Sequence, residues 1–272
     1  MTEPPPLFDP QALRAHRRRA DPGALFLHRA ARDEVQDRLS MVNRTFTSMA
    51  IITPFAGLWR DTFPGAAIAE DAEVLDLPVG QFDLVVHAMC LHWANDPVGQ
   101  LIQCRRALRP DGLCLAMLLG GQTLNELRAV LSQAESRVSG GLSPRVAPMG
   151  EIRELGALLQ RAGLALPVAD AVPLNASYRD LTHLMHDLRA MGETNALTGR
   201  SRHLSRRAVF DTAATLYRDH FGLPDGRIPA SFELICLTGW APSDNQPRPL
   251  RPGSATARLA DALQVGETRL PD

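Results

Sequence analysis

The stretch EDAEVLDLPVGQFDLVVHAMCLHWANDPVGQLIQCRRALRPDGLCLAMLLGG, residues 70–121, decides the fold of this chain. Residues 82–90 are a mostly apolar run rich in Val and Leu, which is typical of a strand buried on both faces. Leu113–Leu119 predicts a second such strand. Between them, apolar residues recur at roughly helical spacing from Asp96, which is suited to cap a helix, to Pro110, which ends it. Strand, helix and strand predict a right-handed βαβ unit with two adjacent, parallel central strands.

The carboxyl ends of these two strands are the expected place for a functional site, because ligands of parallel sheets bind beyond those ends. Cys90-Leu91-His92-Trp93 follows the first strand, and Gly120-Gly121-Gln122-Thr123 follows the second. No Ser/His/Asp order, HExxH motif or paired-carboxylate motif points to another class of enzyme. We therefore expect any chemistry of the chain to lie at this edge of the sheet.

A family resemblance runs through the same residues. The pattern D-A-E-x-L-x-L-P-x-G-x-F-D-L-V-V begins at Asp71, and L-H-W-x-N-D and L-R-P-D-G follow it. Together they resemble the second half of the class I S-adenosylmethionine-dependent methyltransferases. The similarity is closer to one branch, the methyltransferase-like assembly factors of respiratory complex I. It extends over residues 71–240 through Gly120–Arg128, Met191-Gly192-Glu193-Thr194-Asn195 and Thr238-Gly239-Trp240.

The resemblance implies an α/β, Rossmann-like methyltransferase fold with a helical insertion before its last strand. The half before Asp71 is shorter than that fold requires, because its strands and helices need roughly 50–60 residues and residues 46–70 provide 25. This segment predicts one strand at 49–53, one short helix at 54–63 and one further strand at 66–70. The glycine-rich turn that brings the backbone close to the cofactor is absent. Pro54-Phe55-Ala56-Gly57-Leu58 stands in its place.

The resemblance also implies candidate cofactor-binding residues. Asp71-Ala72 matches the pair that contacts adenine, and Glu70 is a candidate for the ribose hydroxyls. Thr53 and Gly57 lie in the segment that replaces the glycine-rich turn. Leu91, His92 and Trp93 lie where the cofactor and the substrate meet in the family. The alternative is that the acids are polar loop residues and that His92 and Trp93 serve packing.

These observations leave three alternative functions for the chain. The chain is an active methyltransferase with S-adenosylmethionine as cofactor, or a scaffold protein that has lost the cofactor, or a protein-arginine hydroxylase. The resemblance implies a protein partner, a respiratory complex I subunit, in each case. Because Phe55 and Leu58 fall where glycines are wanted, we expect weak or undetectable binding of S-adenosylmethionine.

The composition limits the other classes of function. The chain has 272 residues, 45% of them hydrophobic, which is enough to bury the core of one α/β domain. The net charge of −1 predicts no nucleic-acid partner, and the absence of lysine excludes a lysine nucleophile. The four cysteines are expected to be buried thiols. Because there is no apolar run of membrane-spanning length and no secretory signal, we expect a cytoplasmic location.

The remaining segments predict three parts, namely a helical extension over residues 1–45, the methyltransferase-like domain over 46–240, and a Pro-rich linker with a short helix over 241–272. In the first part, a basic helix at Gln11–Arg19 could bind an acidic group but more often has a solvated face. His183 and His186 form a weak candidate metal pair without a third ligand. Further helices are predicted at Ala24–Val42, Leu124–Ser139, Ile152–Ala162, Tyr178–Met191, Arg206–Phe221 and Ser254–Val265, with strands at Leu166–Leu174 and Ser231–Trp240.

Overall fold

A computed structural model describes residues 5–247 and 259–266. Within these residues a six-stranded sheet has the order β2-β1-β3-β4-β6-β5. The strands are β1 Met49–Ile52, β2 Ala67–Ala69, β3 Phe82–Ala88, β4 Leu108–Leu119, β5 Ala165–Tyr178 and β6 Ile228–Trp240. The first four strands are parallel, and β6 runs antiparallel to both of its neighbours. This is the Rossmann-like methyltransferase arrangement that the resemblance predicted.

Helices connect and cover the strands. They are α1 Pro10–Arg17, α2 Phe26–Met41, α3 Ala56–Arg60, α4 Pro97–Ala107, α5 Asn125–Ser139, α6 Ile152–Arg161, α7 Leu181–Ala190 and α8 Arg207–Phe221. Short 3₁₀ turns occur at Pro22–Ala24 and Leu91–Trp93. The chain divides into a unit of residues 1–242 and a tail of residues 243–272. None of the helices among the described residues is long and apolar enough to cross a membrane.

The central βαβ unit forms as predicted. Strands β3 and β4 are adjacent and parallel, with Leu84 opposite Leu113, and every residue of β3 is buried. The Asp96 carboxylate caps α4 by accepting a hydrogen bond from the Gly99 N–H. The predicted start of the second strand at Leu113 is wrong. Strand β4 begins at Leu108, because this residue pairs with Phe82 and the chain turns within the strand at Asp111, whose φ is 62°.

The sheet separates two apolar layers. Along β4, Leu113, Leu115 and Met117 join the core beneath α2, α5 and α8, and the intervening residues join the core beneath α4 and α6. This alternation follows from the side-chain period of a strand. All four cysteines are free and buried, as expected.

The short half before Asp71 also forms as predicted, with one strand, one short helix and one further strand. Strand β2 pairs directly with β1, and Ala67 lies opposite Ala50. In the resembled fold two strands separate β1 from the Asp-Ala pair. Here one strand does so, which brings Glu70 and Asp71 beside the end of β1.

Several boundaries in the C-terminal part differ from the prediction, and β6 begins at Ile228 rather than at Ser231. Tyr178 was predicted to start a helix but ends β5, because it pairs with Ile228 of β6. In the tail, α9 covers Leu259–Leu263. The predicted linker beyond residue 247 and the first residues of the predicted helix, 254–258, lie outside the described residues.

Candidate functional site

The carboxyl ends of β1, β2, β3 and β4 bring most of the predicted site residues to one edge of the sheet. Glu70 and Asp71 follow β2, and the 3₁₀ turn Leu91–Trp93 follows β3. Two separate environments form there. We call the surroundings of Glu70 and Asp71 the cofactor side, and the surroundings of Trp93 and Glu193 the substrate side.

On the cofactor side, Asp71 already has a partner from the same chain. The Arg17 guanidinium of α1 donates a hydrogen bond from Nη1 to Oδ2 of Asp71. The two side chains are only 7% and 15% exposed, so the ion pair is shielded from water. The solvated face expected of the basic helix is therefore wrong for Arg17. The residue lies one turn after the buried Leu13, on the same face of α1.

Two cavities flank this ion pair. A cavity of about 490 Å³ is lined by Glu70, Asp71, Pro54 and the arginines of α1. A smaller cavity of about 140 Å³ is lined by Asp71, Ala72 and Trp93, among others. The Ala72 carbonyl accepts a hydrogen bond from Gln100 Nε2, 3.0 Å away. All three residues thus line cavities, and the Asp71 carboxylate is already engaged by Arg17.

The segment that replaces the glycine-rich turn is closed by its own contacts. Thr53 is buried, and its hydroxyl accepts a hydrogen bond of 3.1 Å from the Phe55 N–H. The Phe55 ring lies edge-on to the His28 imidazole, with 4.7 Å between the ring centroids. Gly57 lies exposed in α3, and a Cβ added there would meet no atom within 4 Å. A side chain at this position would therefore not clash with the surrounding protein.

The turn after β3 divides its three residues between packing and polar contacts. Leu91 is buried in the apolar layer beneath α4. His92 Nδ1 accepts a hydrogen bond of 3.4 Å from the Leu119 N–H, so we assign a proton to Nε2. Nε2 lies 3.4 Å from Glu193 Oε2, and Trp93 Nε1 donates to the same oxygen at 2.7 Å. Both residues therefore hold the carboxylate of Glu193.

Glu193 is a buried carboxylate on the loop after α7. Its side chain is 4% exposed, and Oε1 lies 3.4 Å from His28 Nε2. The alignment of these two atoms is not that of a hydrogen bond, and Oε1 has no hydrogen-bond partner among the described residues. Burial raises the pKa of Glu193, but the imidazoles of His28 and His92 outweigh burial and bring the pKa well below its usual range. The carboxylate is therefore ionised at neutral pH.

A largely apolar cavity of about 270 Å³ opens at Glu193. Its walls include Trp93, Leu119 and Phe232, and its polar lining comes from Glu193, Thr194, Asn195, Arg145 and Arg189. Arg145 is fixed by Glu135, which lies 2.7 Å away. An ionised carboxylate that lines an apolar cavity and has one oxygen without a hydrogen bond is suited to receive a cation.

The loop that carries Glu193 is also tied to α1. Gly192 has a φ of 80°, and a Cβ built there would lie 3.3 Å from the Arg17 Cα. Only glycine combines this left-handed conformation with so close an approach. Helix α1 therefore contacts both sides, Asp71 through the Arg17 side chain and the Glu193 loop through its backbone.

Sequence reasoning missed the roles of Arg17, His28 and Glu193. The sequence offered one clue to Glu193, because this residue lies in a segment that the chain shares with the resembled branch. It offered one clue to Arg17, because this residue follows the apolar Leu13 at helical spacing. The weak metal pair receives no support, because no group of three His, Cys, Asp or Glu among the described residues could hold a metal ion. His183 instead lies edge-on to Tyr178.

Comparison with known proteins identifies the family. The methyltransferase-domain family matches residues 34–116. The mitochondrial arginine-hydroxylase NDUFAF5 of Danio rerio is 33% identical over 238 residues, which cover 87% of this chain and 74% of that protein. The chain belongs to the arginine-hydroxylase NDUFAF5 family. The human member is 35% identical over 208 residues, which cover 76% of this chain and 60% of that protein.

More distant relatives include a malonyl-[acyl-carrier protein] O-methyltransferase of Laribacter hongkongensis. It is 35% identical over 188 residues, which cover 69% of this chain and 61% of that protein. The NDUFAF5 relatives correct one expectation. They are named as mitochondrial proteins, which contradicts the cytoplasmic location inferred from the sequence.

Proposed function

We propose that the chain binds an arginine side chain of a protein partner at Glu193 and does so without S-adenosylmethionine. The observation that carries this proposal is the ionised Glu193 carboxylate in the lining of an apolar cavity, whose Oε1 accepts no hydrogen bond among the described residues and lies 3.4 Å from His28 Nε2. The name of the relatives, arginine-hydroxylase, supports arginine as the target. As the resemblance implies, the partner is a respiratory complex I subunit.

A guanidinium group matches the cavity better than an ammonium group. It is planar, always charged and less strongly hydrated, and it pairs with a carboxylate through several N–H donors. The apolar walls suit the methylene stem of an arginine side chain. The Trp93 indole in the wall provides an aromatic surface, which attracts guanidinium groups.

The residues on the cofactor side do not fit S-adenosylmethionine. The acid that would contact adenine, Asp71, is paired with Arg17. The turn that would receive the amino-acid end is Thr53-Pro54-Phe55, and the Phe55 ring is held against His28. A ligand would have to break a shielded ion pair and displace an aromatic side chain. No chemical step through this cofactor follows from the structure.

Isothermal titration with short peptides tests the proposal. The probe is acetyl-Gly-Arg-Gly-amide, and the control peptide carries citrulline, which has nearly the same shape without the charge. We expect the arginine peptide to bind about ten- to a hundredfold more tightly, as hydrogen bonds to a charged group warrant. Glu193→Gln should remove that preference. Glu154→Gln, the same change on the exposed surface of α6, should leave it unchanged.

Equal affinity for the two peptides, or an unchanged preference in Glu193→Gln, would overturn the proposal. Thermal unfolding of both variants shows whether each remains folded. Because Gln retains an oxygen for Trp93 Nε1, Glu193→Gln keeps the shape of the site while removing its charge.

A further inference from the structure

A second cavity adjoins the Glu193 cavity on the surface. It has a volume of about 680 Å³ and is lined by His16, Arg19, Asp21, His186 and Arg189. Arg189, Thr194 and Asn195 line both cavities. A chain segment whose arginine enters the Glu193 cavity would therefore place its neighbouring residues in this second cavity, which we call the basic cleft.

The charges of the basic cleft are not balanced within the protein. Among the described residues, neither Arg19 nor Arg189 forms an ion pair, although Arg19 Nε donates to the Ala15 carbonyl. The cleft has one acid, Asp21, and its Oδ1 already accepts a hydrogen bond from the Gly23 N–H at 2.8 Å. The two arginines thus remain available to an incoming anion.

His16 gives an independent sign of this positive field. Its Nδ1 is buried without a hydrogen-bond partner among the described residues. Its pKa is lowered by burial first and then by the positive charges of Arg19 and Arg200. Burial is the larger cause, and the two arginines add to it, as expected beside positive charges that have no partner among the described residues of the cleft.

We propose that the basic cleft receives a carboxylate side chain, Asp or Glu, of the partner segment, close in sequence to the arginine held at Glu193. This inference rests on the proposed function of Glu193 and adds the chemistry of the flanking residue. Arg189, at the junction of the two cavities, pairs with that carboxylate. The rule for the partner is an arginine with an acidic neighbour.

A peptide series tests the inference. Each peptide holds one central arginine and one glutamate at the second or first position before it, or at the first or second position after it. Its control holds glutamine at the same position. We expect the best glutamate peptide to bind about tenfold more tightly than its glutamine control, with a preference that falls as salt is added.

Variants of the arginines in the basic cleft test whether these residues cause the preference for glutamate. In Arg189→Gln the preference for glutamate should fall to less than about threefold, because the pairing cation is gone. Arg153→Gln, an exposed change on α6, is the matched control and should keep the full preference. If Arg189→Gln unfolds at a lower temperature than the parent, Arg19→Gln provides the second measurement and should reduce the preference in part.

The outcomes separate the two proposals. If the arginine peptides exceed the citrulline peptides but no glutamate exceeds its glutamine control, this inference is overturned and the role of Glu193 stands. If a glutamate preference persists in both Arg189→Gln and Arg19→Gln, the basic cleft is not its source and the inference is also overturned. If arginine and citrulline peptides bind equally, both proposals fail.

Discussion

The cofactor side and the substrate side each hold a poorly exposed acid, but the two acids are used differently. Asp71 is paired with Arg17 of the same chain, and its charge is already satisfied. Glu193 lines a cavity and is held by His92 and Trp93 through one oxygen, while its other oxygen accepts no hydrogen bond among the described residues and lies 3.4 Å from His28 Nε2. The ion pair fills the cofactor side from within, and the proposal assigns recognition to the carboxylate on the substrate side.

Removing the Arg17–Asp71 ion pair, which fills the cofactor side, should give the largest loss of stability. Arg17→Leu leaves the Asp71 carboxylate shielded and without its cation, and the free energy of unfolding should fall by about 3 kcal/mol. Chemical denaturation measures this change. Arg18→Leu, at the neighbouring exposed position, should cost less than about 0.5 kcal/mol.

A second substitution decides whether the ion pair is the cause. Adding Asp71→Asn to Arg17→Leu removes the stranded charge and should recover part of the lost stability. No recovery in the double variant would show that Arg17 stabilises the protein through packing alone, and the closure would then lose its electrostatic basis.

The pH dependence of stability should differ between the two sides. Beneath the cofactor side, burial lowers the pKa of His87 to about 4 from an ordinary value of 6.5. The stability that the buried neutral ring of His87 contributes is complete above pH 6.5 and is lost as the pH falls toward 4. The reason is that His87 of the unfolded chain binds a proton at a higher pH than His87 of the folded protein. In the wall of the substrate side, Arg145 lowers the pKa of Glu135 to about 2 from 4.5. Its contribution is lost only between pH 4.5 and 2.

Unfolding free energies measured from pH 8 to pH 2.5 test this order. His87→Asn should flatten the profile between pH 6.5 and 4, and Glu135→Gln should flatten it below pH 4.5. A profile that His87→Asn leaves unchanged would show that the imidazole is not held neutral by burial.

The smallest effect is expected at the C-terminal boundary, away from both sides. The sequence predicts a domain boundary at residue 241, and we propose that it lies two residues later. Ala241 is buried, its N–H donates to the Gly112 carbonyl at 2.8 Å, and its carbonyl accepts from the Asp111 N–H at 3.1 Å. Deleting residues 243–272 should leave the unfolding transition unchanged, whereas deleting 241–272 should cost about 1–2 kcal/mol for the two hydrogen bonds.

Scanning calorimetry of the two truncated proteins gives the comparison. A loss of cooperative unfolding in the shorter deletion would show that the tail belongs to the core. If that deletion leaves the fold intact but weakens binding to a protein partner, the tail serves the interaction that the sequence suggested.

The predictability of the two sides from sequence also differs, for a physical reason. The central strands were predicted because continuous apolar runs are local signals, and the shortened half before Asp71 was predicted from the number of residues available. The pairing of Arg17 with Asp71 joins residues 54 positions apart, and Glu193 lies about 100 positions from His92 and Trp93. Such contacts depend on how the helices dock, which no local pattern in a single sequence specifies.

The claim that the cofactor side is closed is tested most directly by isothermal titration with S-adenosylmethionine. Overpacking by a side chain where glycines are wanted costs about 1–3 kcal/mol, and breaking the Arg17–Asp71 pair adds to that cost. Since 1.4 kcal/mol is tenfold in affinity, we predict a Kd of about 1 mM or weaker. Binding of the arginine peptide to the same sample would show that the protein is intact. A Kd in the low micromolar range that Asp71→Ala abolishes would contradict the account and restore an active methyltransferase.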